Sequence, residues 1–457
     1  MLIWLLGLSL LFVGVVGPWP NHELAYQQST YYTETQRRLQ QQHFDRRASP
    51  LQAGYGRVDI TPNKAIALGG FNARQLKNFE SVAHRVYAQA ISLSNQEQIV
   101  TIIAVEWLLP LPDIIDAVAE KTGLSREQLF FTASHTHAGP GAYAKGLIGE
   151  SVLGAYDAEY FSILADKLAR VVLDSRYAMQ PIQLQYQRID LKPTLANQLL
   201  VNQLDDQSPA HGRIHLLKLL DQHQQNLAML LSFGAHPTLL DATNHSLSGD
   251  YPGLLQYKLS QQMNTPVLFA AGAVAGIMPQ TTMSQSIEKD QQKTIETYND
   301  RLVSIILRAE EKPPSSAEFV LHQWQQAHAV IDSHLFNLDL PTAHFRISKN
   351  TRLSPYMVHS LFHQSQQSYV HLLRLGPVML MGFPGDYSGE LAQRLEQNRP
   401  DDLQAWAISF NGDYIGYLMP SDRYDQHHYT VTRSSVYGRW LGDYFTDIAQ
   451  QALKLAH

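Results

Sequence analysis

The chain contains no cysteine. Disulfides, thiolate nucleophiles and cysteine-ligated metals are therefore excluded, and any metal must be held by His, Asp, Glu or Tyr. Clustered positive charge is also missing. Lys and Arg never run longer than a pair, and a net charge of −6 removes the electrostatic footprint of a nucleic-acid binder. No HExxH, GxSxG, Walker loop or dinucleotide fingerprint occurs, so the protease, esterase and nucleotide routes those motifs support are not available. Small molecules or lipids remain as partners, and the 20 histidines become the residues to follow.

What is present is an ordinary globular composition. With 457 residues, 44% of them apolar and 17% charged, the chain can bury a core and is not disordered. The start is different. Leu2–Val16 is almost continuously apolar, and no charged residue precedes Glu23. Residues 1–20 read as an export signal or a short membrane anchor, which would place the rest at a membrane surface on the periplasmic or extracellular side. Residues 21–48 are Gln-rich and polar and read as a helical or loose linker.

From residue 49 onward, strands alternate with amphipathic helices, the pattern of a mixed α/β (α+β) domain with central sheets and flanking helices. Buried strands are expected at Ile99–Val105, Leu129–Ala133, Leu227–Phe233, Val267–Ala270 and Val378–Gly382. Helices are signalled from Pro112 to a stop at Gly123, and over Asp157–Ser175, Tyr251–Met263, Ser286–Glu311 and Tyr387–Asn398. The KPPSS stretch Lys312–Ser316 is the best internal break.

Several apolar runs, and one later segment, lead into polar clusters, and the ends of strands are where α/β proteins build sites. In LFFTASHTHAGPGAY, His135 and His137 are two apart, so extended backbone points both rings to one face, and the Gly139-Pro140-Gly141 turn leaves them uncovered. A metal with an open position suits that pair; satisfied histidines at a polar strand end suit it as well. In MLLSFGAHPTLLDATNHSLSGDYPG, a strand runs into His236 and then to Asp241, His245 and Asp250 as supporting groups. In VMLMGFPGDYSGELAQRL, Asp386 stands at the start of a helix, where an N-cap explains it without function. In NGDYIGYLMPSDRYDQHHY, Tyr414, Tyr417, Tyr424 and Tyr429 are dense enough for interface packing. Together, imidazoles, a carboxylate and a phenol from separate strand ends could hold one zinc ion through N and O ligands and activate water.

The order and content of these clusters resemble the catalytic domain of the neutral/alkaline (non-lysosomal) ceramidases over most of residues 51–445. AGYGRVDITPNKAIALGGFNAR is similar to the family's opening segment and is followed by the strand ending at Glu106, where the family has Asp. ASHTHAGPGAY, SFGAHPTLLDATNHSLSGDYPG, FPGDYSGELAQRL and YIGYLMPSDRYDQHHY follow in the family's order. The resemblance implies a metallohydrolase domain over residues 49–457. It implies zinc ligated by His135 and His236, with Asp386 where the family has a ligating Glu and Tyr417 where it has a ligating Tyr. His137 becomes the non-ligand imidazole that carries the proton, while Tyr417 or Tyr429 holds the oxyanion. Lys192 lies near the position of an Asn-Arg-Ser motif, at the substrate. The family's GDVSPN segment aligns with AGIMPQ, so that Gly276 replaces an Asp and Met278 replaces the family serine. The implied activity is cleavage of a ceramide-like N-acyl amide or related acyl bond. The alternative is a ceramidase-like protein that lost the serine and only binds lipid or a partner.

Overall fold

The structure, a computed structural model, describes residues 12–21, 23–71, 74, 77–205, 210, 212–280, 290–311, 318–342, 346–348, 350–362, 366–426, 428, 431 and 435–457. Its larger sheet takes strands β1 (Ser49–Asp59), β2 (Tyr87–Ser94), β3 (Ile99–Val105), β4 (Leu129–Ala133), β5 (Gln180–Leu191), β6 (Arg213–Leu220), β7 (Asn226–Phe233) and β8 (Val267–Ala271). They lie in the order β8-β7-β6-β5-β1-β2-β3-β4, with β9 (Phe319–Gln326) also paired to β5. The smaller sheet has the order β10-β11-β12-β14, formed by Ile331–Asp339, Gln367–Leu375, Val378–Gly382 and Gln404–Ile408. Between β12 and β14 comes the two-residue strand β13 (Asp386–Tyr387), which pairs in parallel with β15 (Tyr417–Leu418).

The strands read as unbroken apolar runs because both faces are covered. Ile102 and Ala104 of β3 enter the core between the two sheets, with Leu380 and Trp406 opposite. Their neighbours Ile103 and Val105 face the outer helices. Those helices are α2 (Pro112–Thr122), α4 (Ala158–Tyr177), α6 (Asp250–Met263) and α7 (Gln291–Glu311), and α3 (Gly146–Leu153) and α5 (Pro193–Leu199) are short connections. On the far face of the smaller sheet pack α1 (Thr30–Gln40), α8 (Gly389–Gln397) and α9 (Leu441–Ala456). The result is four layers: helices, sheet, sheet, helices.

The five expected strands and the mixed α/β class are present. The stop at Gly123 is left-handed (φ 69°), as a helix end with glycine requires. One expectation is corrected. The helix expected from Tyr387 starts at Gly389, and its N-cap is Ser388, whose Oγ accepts from the Glu390 N–H at 3.2 Å. Of the two readings of the polar segment before β1, the structure has the helical one over Thr30–Gln40: Tyr26, Tyr32 and Leu39 lie in the core on the far face of the smaller sheet, and the Tyr32 hydroxyl donates to Asp447 of α9 at 2.5 Å. The Lys312–Ser316 break, residues 286–289 of the helix before it and residues 1–11 lie outside the described residues. Among the described residues no helix is long and apolar enough to cross a membrane.

Candidate metal centre

Two parallel pairs at opposite ends of the larger sheet aim its functional loops. β4 runs beside β3 and delivers His135, while β7 runs beside β8 and delivers His236. The smaller sheet closes the space between them. After β14, the Ser409 N–H donates to Ala271 O of β8 at 2.9 Å, and Asn411 Nδ2 donates to Phe131 O of β4 at 2.7 Å. Between them, Phe410 stacks on the His135 ring at 3.7 Å with the planes 7° apart.

His135 does not have the extended backbone expected from the HxH pattern; its φ is 62°, and Phe410 against it has φ 55°. Left-handed backbone in bulky residues costs of order 1–3 kcal/mol each and persists where surrounding contacts enforce it. Here the Nδ1–H of His135 donates to Leu108 O at 2.8 Å, which turns Nε2 inward as a free lone pair. His137 Nε2 lies 3.2 Å from His135 Nε2 and 3.1 Å from His236 Nε2. The three imidazoles converge on one point although the backbone route differs from the expected one. Burial, joined by neighbouring histidines, holds the pKa of His135 and His137 well below the ordinary range, and burial brings His236 to about 4. All three are neutral at pH 7, the form that ligates metal.

Asp386 is fully buried, and Oδ1 has no hydrogen-bond partner. That oxygen faces His135 Nε2 at 3.7 Å and His236 Nδ1 at 3.8 Å. The other, Oδ2, accepts from the Tyr414 hydroxyl at 2.9 Å, and the Tyr417 hydroxyl also bonds the carboxylate. Burial pushes the Asp386 pKa up to about 7, against the pull of these two bonds. The reading of Asp386 as a helix cap is thus overturned. A buried oxygen without a partner, beside the neutral imidazoles of His135 and His236, costs free energy unless a cation completes it. His135, His137 and His236 form a set that could hold a metal ion, and the Asp386 oxygen stands next to two of them.

The structure sorts the remaining expected residues. Tyr417 is side by side with Asp386 through the β13–β15 pairing. The Gly276 and Met278 segment runs past His236, whose N–H donates to Ile277 O at 3.0 Å, and Ala275 N–H donates to Tyr387 O beside Asp386. Gly276 has φ 77°, a conformation that favours glycine. Lys192 stands at the start of α5, which leads into the Leu200–Asn202 strand paired with Ile277–Pro279. Tyr429 lies outside the described residues. Asp250 and Asp241 serve the local backbone: Asp250 Oδ2 accepts from Leu240 N–H and Asp241 Oδ1 from Thr243 N–H.

Three supporting residues were not expected: Tyr414, Phe410 and Arg74. In the sequence Tyr414 reads as packing, although its place three residues before Tyr417 is an available signal. Gly70 (φ 101°) presses on the His137 ring, where a Cβ would come within 2.6 Å of Nδ1. Tyr414→Phe is expected to weaken metal binding about 10-fold while leaving the melting temperature within a few degrees, because it frees the carboxylate to rotate. Titration of the metal against a competing chelator, next to a melting curve, checks this.

A second buried carboxyl, Glu106, follows the end of β3, bonded to Gln256 Nε2 at 3.2 Å. Burial pushes its pKa from 4.5 up to about 8. The folded chain therefore binds more protons than the unfolded one in that window, and stability falls as pH rises through it. Glu106→Gln is expected to remove about 3 kcal/mol of this loss between about pH 5.5 and pH 8.5. Melting temperatures of both proteins across that range decide it.

A four-layer α/β fold with a three-histidine cluster at its strand ends, next to the buried Asp386, defines a candidate metal-binding protein of the mixed α/β class. The chain belongs to the neutral/alkaline non-lysosomal ceramidase family, whose N-terminal region matches residues 51–287. It is 21% identical over 226 residues to a neutral ceramidase of Mycobacterium tuberculosis, a match covering 45% of this chain and 35% of that one. It is 23% identical over 236 residues to neutral ceramidase B of Dictyostelium discoideum, covering 48% and 33%. These matches span about a third of the length of the curated relatives. The fold is that of the neutral ceramidase from Pseudomonas aeruginosa, with a TM-score of 0.70 at 16% identity, over 89% of this chain and 74% of that one.

Proposed function

We propose that the protein is a zinc-dependent hydrolase that cleaves the amide of a ceramide-like N-acyl lipid, or a related acyl bond, by activating water. The observation that carries this reading is the convergence of three neutral imidazoles, two of which, His135 and His236, also face the unpartnered Oδ1 of Asp386. His135, His236 and Asp386 would hold the ion, with Tyr417 beside the carboxylate. When bound, zinc supplies a Lewis acid for the carbonyl and makes water acidic enough to attack near neutral pH. His137, neutral and with Nε2 turned to the same point, accepts the proton of the attacking water and returns it to the leaving nitrogen. Tyr414 and Tyr417 orient Asp386, and Tyr417 is the nearer candidate to hold the oxyanion, with Tyr429 as the other.

Met278, where the family has its serine, offers no nucleophile, so this reading runs without an acyl-enzyme. The same substitution favours the other reading, a lipid- or partner-binding protein without turnover. The N-terminal apolar run, of which Phe12, Val13 and Val15 are exposed, would bring either protein to a membrane surface. Elemental analysis of the dialysed chain and assays of a short-chain ceramide, acyl homoserine lactones and simple esters, each with and without chelator, test the proposal. About one zinc per chain with chelator-sensitive turnover of any of these supports it. Absence of metal after zinc is offered leaves the binding protein.

A further inference from the structure

Away from the metal centre, β1, β2, Glu106 and α6 line a cleft of about 670 Å³, which is the size of a small-ligand site. It shares no lining residue with the His-Asp set. One wall is a chain of hydrogen bonds. The Tyr55 hydroxyl donates to Gln89 Oε1 at 2.7 Å, Gln89 Nε2 to Gln256 Oε1 at 2.9 Å, and Gln256 Nε2 to Glu106 Oε1 at 3.2 Å. The chain ends at Glu106 Oε2, which among the described residues has no hydrogen-bond partner although the residue is only 5% exposed. Gly249 and Gly253 pass over that oxygen. A Cβ at Gly253 would come within 2.9 Å of it, and one at Gly249 closer still, so glycine leaves it open.

Two more features set the sign of a ligand. A carboxyl this buried, with no cation in hydrogen-bond contact, rests in its neutral form, and with Oε1 occupied as an acceptor its O–H is on Oε2. Arg57 lies over the Tyr87 ring at 3.5 Å and makes no ion pair among the described residues, whereas Arg85 is paired with Asp59. The cleft therefore offers a free guanidinium and a carboxyl O–H, both donors, beside the apolar surfaces of Leu254 and Tyr257.

We propose that this cleft binds a small organic monocarboxylate, with Arg57 and Glu106 donating to its oxygens and its apolar part against Leu254 and Tyr257. Calorimetric titration of the full-length protein with octanoate, using octylamine as the opposite charge, tests it. Octanoate binds and octylamine does not. Arg57→Ala, an exposed position that folding tolerates, weakens octanoate about 10-fold, as loss of a charge-assisted hydrogen bond requires. Gly253→Ala weakens it by covering Oε2. Glu106→Gln keeps binding, because its amide donates in place of the O–H and its carbonyl still accepts from Gln256. His236→Ala leaves binding intact, which separates this cleft from the metal centre. Absence of octanoate binding, equal affinity in Arg57→Ala, loss in His236→Ala or preference for octylamine would each overturn the proposal.

Discussion

Replacing His236 with alanine is expected to remove the metal and the turnover together, with activity falling by about three orders of magnitude or more. The variant should still fold, since the strand that delivers the residue, Asn226–Phe233, is held by β6 and β8 through its backbone and the side chain adds little to the core. Elemental analysis and a chelator-sensitive assay read both losses in one preparation. His137→Ala separates the roles. Its imidazole faces the same point but is assigned to the proton, so the variant should retain zinc while losing about 100-fold or more in turnover, the size of a general acid–base contribution. Zinc retained by His236→Ala would remove that residue from the ligand set, and zinc lost by His137→Ala would move His137 into it. The geometry makes this a real contest, because His137 Nε2 is within 3.2 Å of both other nitrogens.

Much of this centre was legible because its parts are local. Strands such as Leu129–Ala133 are buried on both faces and show as apolar runs, and the two histidines after them stand out against the following glycine turn. Asp386 was ambiguous for a physical reason. A carboxylate near a helix start can accept from the first N–H groups or turn elsewhere, and only the distant pairing with Tyr417 decides between them. Ser388 takes the cap and leaves Asp386 free. Tyr414 and Phe410 were hidden in the same way: the partner of Tyr414, Asp386, is 28 residues away, and that of Phe410, His135, follows a strand of the other sheet. In the segment 21–48 the glutamines leave helical and loose readings equally open and hide its packing. Its buried residues Tyr32, Thr35 and Leu39 do follow helical spacing, yet the stripe is too narrow and too polar to be seen without α9 beside it.

The second large effect is expected at a residue that touches no ligand of the metal through its side chain. Arg74 is 1% exposed and makes no ion pair among the described residues. Its guanidinium instead donates to the carbonyls of Asn244 at 2.7 Å, Asp241 at 3.4 Å, Gly69 and His137, and it lies over the Phe71 ring at 4.8 Å. Phe71 in turn packs on the His137 ring, with centroids 4.8 Å apart. Burial lowers the Arg74 pKa to about 10, which still leaves it charged at neutral pH. One side chain thus ties two loops, around Gly69 and over Asp241–Asn244, to the backbone of His137. Arg74→Ala would leave several buried carbonyls without donors, at about 1–3 kcal/mol each, so a total loss of about 4 kcal/mol is expected in denaturant unfolding. Arg74→Lys should recover less than half of it, because a single ammonium cannot span the acceptors that the planar fork reaches. If the role is positional, the lysine variant will bind zinc like the parent protein and still turn over more slowly. Equal stability of Arg74→Ala and the parent would show that the carbonyls find water or other donors and that the His137 loop is held by Gly70 and Phe71 alone.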